Sequence, residues 1–232
     1  MNRLATRSRQ EEQMDAPGID PAVYATVLSD LSRVNRWTLT ARPTLRYLDR
    51  AAGDLDAFTL LDVGFGHGDM LRAIARWARK RGIKARLIGV DLNSMSEKIA
   101  RAATPSDLSA IEFRTGDYRN QSEPVDFIIS SQVAHHMSAG QLGEFLRHME
   151  ERSVRGWLVS DLNRHVFSYS GYPLLARMMG VHRIVREDGT LSIARSIRPE
   201  EWPAILSRAE IDPALVTIRR RFPFRVSVER VR

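Results

Sequence analysis

The stretch Leu60-Leu61-Asp62-Val63-Gly64-Phe65-Gly66-His67-Gly68-Asp69-Met70 constrains this chain more than any other. An apolar run ends in an acid, three glycines alternate with larger residues, and a helical pattern then begins. Glycine tolerates backbone angles closed to other residues and lets a ligand approach the main chain. The first turn of the following helix offers unpaired N–H groups, which suit an anionic or polar cofactor. The order strand, glycine turn, helix predicts a nucleotide-like pocket and leaves open what fills it.

The surrounding pattern sets the fold. Strands are expected at 58–63, 86–90, 111–114, 125–130 and 156–160, and helices at 69–79, about 94–103 and about 138–151. Strands separated by helices of this length predict a parallel sheet covered on both faces. Two strands, 215–222 and 224–231, should close the sheet as a hairpin around Pro223. The expected fold is therefore α/β: a Rossmann-like, seven-stranded, mostly parallel sheet with a C-terminal antiparallel strand. Asp20-Pro21 opens a helix reaching about Trp37, and a second helix covers about 43–51. This divides the chain into a mobile, polar arm (1–18), a helical cap (19–54) and the sheet domain (55–232). After the fifth strand, 165–179 reads as a helix that Tyr169 to Pro173 can break. Residues 181–195 read as irregular, with a turn at Asp188-Gly189, and 199–209 as a short helix.

Composition removes several function classes. The chain has no cysteine, which excludes disulfides, thiolate metal sites and a cysteine nucleophile. Its net charge is +7 and its pI about 10.3, but the arginines are scattered, whereas a nucleic-acid footprint concentrates on one face. A nucleic-acid partner is therefore not expected. Residues 1–13 lack the apolar centre of a signal peptide, and no run approaches the roughly 20 residues that span a bilayer. A cytoplasmic protein is expected, and the sequence does not speak to oligomeric state.

Three acids follow consecutive strands: Asp62, Asp91 and Asp117. In an open parallel sheet a ligand lies across the carboxyl ends of the strands, where Asp91 can accept both ribose hydroxyls. Asp117 can accept from an adenine amine. A nicotinamide or flavin cofactor would satisfy the first two acids, but the dinucleotide fingerprint spaces its glycines as G-x-G-x-x-G. Gly64, Gly66 and Gly68 follow G-x-G-x-G instead.

Leu61 to Gly68, Gly89-Val90-Asp91, Gly116-Asp117 and Val125 through His135-His136-Met137 together resemble the successive motifs of class I S-adenosylmethionine-dependent methyltransferases. The double histidine after the fourth strand is similar to the ubiquinone and menaquinone biosynthesis branch. Met14-Asp15, Asn35-Arg36-Trp37, Asp161-Leu162-Asn163-Arg164 and Arg221-Phe222-Pro223-Phe224-Arg225 resemble a bacterial subgroup often encoded beside polyketide synthases. The resemblance implies S-adenosylmethionine as cofactor. It implies that Gly64, Phe65 and Gly66 line the methionine half through their backbone, with Asp62 orienting the loop. It further implies that Asp91 holds the ribose, Leu92 packs on adenine, Asp117 takes its amine beside Tyr118, and Ser131 and Gln132 lie near the sulfonium. Phe65 and His67 stand where the family often has small residues, and add bulk there.

The acceptor of the methyl group is less legible. Transfer from a sulfonium needs proximity and in-line alignment, with a base where the acceptor is a hydroxyl. His136, His135 and Asp161 are the candidate catalytic residues, because a histidine with a pKa of about 6.5 suits proton removal. No metal is expected: Asp161-x-Asn163 is similar to part of a catechol methyltransferase metal set, but Ser130-Ser131-Gln132 lacks the companion acid. The acceptor pocket is expected to draw on Trp37, Tyr169, Tyr172, Leu174, Met178 and Met179, and on Arg42, Arg164 or Arg183 for an anionic group. Such a lining suits a phenol, quinol or polyketide-like hydroxyl, methylated on oxygen first and carbon second. The competing expectations are an RNA methyltransferase and a non-catalytic binding protein of the same fold.

Overall fold

The computed structural model describes residues 4–232. Its sheet is built from β1 (Ala57–Val63), β2 (Lys84–Asp91), β3 (Glu112–Thr115), β4 (Val125–Ser131), β5 (Ser153–Leu162), β6 (Thr217–Arg221) and β7 (Arg225–Val231). The strands lie in the order β3-β2-β1-β4-β5-β7-β6. The first five run parallel, and β7 is antiparallel to both β5 and β6. This is the expected topology. Its order reverses between β1 and β4, the switch point where open parallel sheets bind ligands.

Among the described residues, eight α-helices surround the sheet: α1 (Pro21–Trp37), α2 (Ala41–Ala51), α3 (Asp69–Arg81), α4 (Ser94–Ala102), α5 (Ala139–Arg152), α6 (Val166–Met178), α7 (Arg183–Arg195) and α8 (Trp202–Arg208). The near-continuous apolar strands are buried on both faces, as parallel strands must be when helices cover them. One core, around Phe145, Trp157 and Trp202, lies beneath α5 and α8. The other, around Tyr47, Leu71 and Phe127, lies beneath α2 and α3. Among the described residues no helix is long and apolar enough to cross a membrane.

The cap differs from the expectation in its parts. Its small core joins Val27 and Val34 of α1 to Ala176 of α6 and Ile184 and Val185 of α7. The roof over the switch point is thus α1 with the α6–α7 pair, while α2 packs onto the sheet. The 181–195 segment, expected to be irregular, is the regular helix α7. Asp188 does not turn the chain; its carboxylate accepts the backbone amides of Gln13 and Met14. Gly189 is small because a Cβ there would lie 2.3 Å from the Tyr172 ring. Pro173 lies inside α6 without breaking it.

The polarity of residues 1–18 predicts mobility, yet the described part, 4–18, is laid against the body; residues 1–3 lie outside the described residues. Leu4 and Glu12 are buried. Arg7 donates to the carbonyls of His135 and Met137, each at 2.7 Å, and to that of Arg195 at 2.5 Å. Polar side chains here satisfy buried carbonyls rather than water, which composition alone does not reveal.

Candidate functional site

The carboxyl ends of β1, β2, β4 and β5 open into a cavity of about 650 Å³, roofed by α1, α6 and α7. Its floor is the turn predicted from the glycines. Gly64, Gly66 and Gly68 all have positive φ (78°, 51° and 78°), so the alternating spacing places each where an L side chain is strained. A Cβ on Gly64 would lie 2.5 Å from Val133, whereas one on Gly66 would meet nothing nearer than Leu28 at 3.7 Å. The Gly66 backbone is therefore open toward the cavity. Phe65 turns its ring into the core against Phe113, with centroids 5.0 Å apart, so its bulk does not narrow the entrance. His67 is held from the side by Arg72, 2.8 Å from its Nδ1.

Asp91 ends β2 and ties two loops together: it accepts the Gly66 amide and the Asn93 amide, both at 2.9 Å. Burial raises its pKa, against the pull of those two amides. Asp62 is fully enclosed beneath the loop, and its Oδ2 has no partner. Burial, with Asp69 and Asp91 nearby, pushes its pKa up to about 8. Ser131 Oγ, at the end of β4, is a second buried polar atom without a partner. Gln132 follows with φ 61°, donating to Asn35 at 2.8 Å and accepting from Arg225 at 3.2 Å.

Of the ten residues implied for the cofactor, nine line the cavity: Asp62, Gly64, Phe65, Gly66, Asp91, Leu92, Tyr118, Ser131 and Gln132. Asp117 does not. Its carboxylate accepts the Arg119 amide and pairs with the Arg119 guanidinium at 2.6 Å. A short polar residue after a strand caps a turn as readily as it meets a ligand, and here it caps.

Asn35 and Arg225 had signals in the sequence but no assigned role. Asn35 donates to Asp69 at 3.3 Å, while Arg225 donates to Thr38 at 2.9 Å and to Thr40. With Gln132 they form one polar network under the cavity. Arg225 is fully buried, and that burial pulls its pKa down to about 10.

The histidines form the second polar centre. His135 Nδ1 lies 2.7 Å from Asp161 Oδ1, and Asp161 Oδ2 accepts the His135 amide at 2.9 Å. Burial acts to raise the Asp161 pKa, but the charge and hydrogen bonds of His135 outweigh it and hold the carboxyl low. His136 Nδ1 lies 2.8 Å from Asp15 Oδ2. Burial opposes the charged imidazole, yet Asp15 and Glu12 prevail and raise its pKa. Glu12 and Asp15 come from the N-terminal segment; Met14-Asp15 belongs to the stretches that resemble the bacterial subgroup but had no assigned role, and nothing in the sequence pointed to Glu12.

Several expected acceptor contacts are absent. Of the six residues named for the lining, Tyr172 alone reaches the cavity. Trp37, Leu174 and Met178 are turned outward and exposed. Arg164 is buried on the carbonyls of Leu4 and Ser196, and Arg183 pairs with Glu187 at the surface. The apolar lining comes instead from Met14, Leu28, Leu31, Phe167, Leu175 and Ile193.

Residues 60–155 match the family model described as a methyltransferase domain. Comparison with curated proteins finds no match. Among solved structures, magnesium protoporphyrin IX methyltransferase from Synechocystis PCC 6803, with S-adenosylhomocysteine bound, is 20% identical, with a TM-score of 0.58 over 86% of this chain and 84% of that one. An S-adenosylmethionine-dependent methyltransferase from Aquifex aeolicus is 17% identical, with a TM-score of 0.60 over 91% and 97%. An O-methyltransferase family 2 protein from Planctomyces limnophilus, in complex with apigenin, is 16% identical, with a TM-score of 0.62 over 93% and 63%. These likenesses establish the fold. The matched segment itself runs from β1 through the glycine turn, Asp91 and the double histidine into β5, so that residues 60–155 are similar to a methyltransferase domain and are set in the Rossmann-like methyltransferase fold.

Proposed function

We propose that this protein is an S-adenosylmethionine-dependent methyltransferase that methylates an oxygen of a small, hydrophobic or aromatic acceptor no larger than its cavity: a phenol, quinol or polyketide-like hydroxyl, with carbon methylation as the second reaction. The carrying observation is one continuous cavity that joins the glycine turn to the Glu12–His135–His136 cluster along an apolar wall. Arg225 is the one Lys or Arg among the described lining residues, and it sits beneath the floor. A polynucleotide site would present basic side chains along its length, so this lining favours a small molecule.

The residues present fit the methyl donor. The open backbone at Gly66 leaves room for a ligand, Asp91 stands at the end of β2 to take hydroxyls, and the unpartnered Asp62 Oδ2 and Ser131 Oγ await polar groups. When bound, the donor supplies an activated methyl group on a sulfonium. The chain's part is to hold the acceptor in line and exclude water. The histidine cluster in the cavity wall would take up the proton that the acceptor hydroxyl gives up on methylation. Asp161 is a positioning residue, because its carboxylate is saturated by His135 and Leu162.

The double histidine and the joined Asn35, Gln132 and Arg225 network support kinship with the quinone-biosynthesis branch and the polyketide-associated subgroup. The apigenin-bound relative supports a flat aromatic acceptor. Incubation with S-adenosylmethionine and a panel of phenols, quinols and aromatic polyketides, read by mass, tests the proposal. A product one methylene heavier, lost in His136→Ala while donor binding persists, is expected. Methylation of RNA in place of every panel member would overturn it.

A further inference from the structure

We infer that Glu12, His135 and His136 form a divalent-cation site in the wall of the acceptor cavity. One ligand atom from each of the three lies within 4.8 Å of the others. Glu12 Oε1 is 3.5 Å from His135 Nε2, and Glu12 Oε2 is 3.8 Å from His136 Nε2. Ligands about 2.0–2.2 Å from a tetrahedral ion stand roughly 3.3 Å from one another. The two Glu12–histidine separations need to close by only a few tenths of an ångström to meet one ion, and the third pair lies within 4.8 Å.

The outer contacts make the same point independently. Asp161 and Asp15 each take one Nδ1, at 2.7 Å and 2.8 Å. A carboxylate at Nδ1 fixes the proton there and leaves the Nε2 lone pair free, which is how metal-binding histidines are oriented and made more basic. Both lone pairs then face the Glu12 carboxylate. Three acceptors converge in a site where Glu12 and His135 are 3% and 2% exposed, and a buried group of this kind calls for a compensating positive charge, which a cation would supply.

The neighbouring donors do not fill that place. Ser192 donates to Glu12 Oε1 at 2.9 Å, occupying one lone pair. Arg195 stays 3.9 Å from Glu12 and spends its donors on the carbonyls of Gln10, His135 and His136. Arg7 is likewise committed to carbonyls. Two imidazoles and one carboxylate suit a first-row transition ion or zinc better than magnesium or calcium.

Glu12, Asp15, His135 and His136 all line the cavity, so the ion's remaining positions face the acceptor. A hydroxyl or enol oxygen there would bind and lose its proton to solvent, because a divalent ion acidifies an oxygen it holds. Both histidines would then act as ligands, and His136 would not itself take the proton. This role rests on the methyl-transfer reading, whereas the site's existence does not.

The test is titration of the tag-free, chelator-treated full chain with Co²⁺, followed by visible absorption and calorimetry. One ion per chain, with a visible band and micromolar affinity, is expected. Glu12→Gln and His136→Asn should each weaken it about tenfold or more, and Asp15→Asn about tenfold through the outer contact. S-adenosylmethionine binding, measured on the same samples, should be unchanged and shows that each variant is folded. A wild type that binds Co²⁺ no tighter than millimolar, or variants that bind it as the wild type does, would overturn the site. Loss of S-adenosylmethionine binding by the wild type would instead count against the methyl-transfer reading.

Discussion

The carboxylate of Asp161 holds His135 twice, taking the backbone amide at 2.9 Å and Nδ1 at 2.7 Å. The two residues leave different strands, β5 and β4, so this contact fixes the double histidine relative to the sheet. Asp161→Ala leaves two buried donors without an acceptor. It should cost about 3 kcal/mol of stability, from roughly 1–3 kcal/mol per unsatisfied group. Urea unfolding reads this directly, and a loss within 0.5 kcal/mol (about the scatter of a surface substitution) would mean that the contact anchors nothing.

The glycine turn separates a structural glycine from a ligand glycine. Gly64→Ala puts a methyl 2.5 Å from Val133 at φ 78°, and should cost about 2–3 kcal/mol of stability. Gly66→Ala meets no protein atom nearer than 3.7 Å, so the apoprotein should lose only about 1 kcal/mol. Its donor affinity should nevertheless fall about tenfold, because the added methyl occupies the open side of the turn. Thermal unfolding and calorimetry on both variants check the split; equal donor affinity in Gly66→Ala and wild type would refute it.

Asp62 makes the apoprotein sensitive to pH. Its pKa rises from an ordinary 3.8 to about 8 in the fold, so the folded state holds a proton that the unfolded state releases. The resulting stability is fully present below 3.8 and is lost as pH rises through about 8. Asp62→Asn should flatten this part of the stability profile. Denaturation at a series of pH values measures it, and parallel profiles for the two proteins would contradict the burial argument.

The N-terminal segment should matter for turnover rather than for donor binding. Arg7 donates to the carbonyls of Ala134, His135 and Met137, pinning the loop that carries the histidines. Arg7→Ala should lower kcat about tenfold, the effect of roughly 1.4 kcal/mol, while leaving the donor Kd within about twofold. Unchanged kcat in the variant would show that the segment does not organise the acceptor side.

What could be read from the sequence was local. Asp62 to Gly68 announces itself because a strand, a glycine alternation and a helix start lie within one short run, and Asp91 ends the next strand. The residues that were missed depend on contacts between distant parts of the chain. Glu12 and Asp15 sit in a polar stretch with no periodicity, yet meet His135 and His136 across the fold. Asp188-Gly189 has the composition of a turn, but Asp188 is satisfied by the N-terminal segment and Gly189 makes room for Tyr172. Leu174 and Met178 looked like lining because they are apolar, and helical phase turned them outward.

The central claim is that the cavity over the glycine turn holds S-adenosylmethionine, and calorimetry with that cofactor tests it most directly. Micromolar binding is expected, weakened about tenfold or more in Asp91→Ala, in line with roughly 1.5–3 kcal/mol for hydrogen bonds to a charged group. No measurable binding by the wild type, or the same affinity in Asp91→Ala, would contradict it.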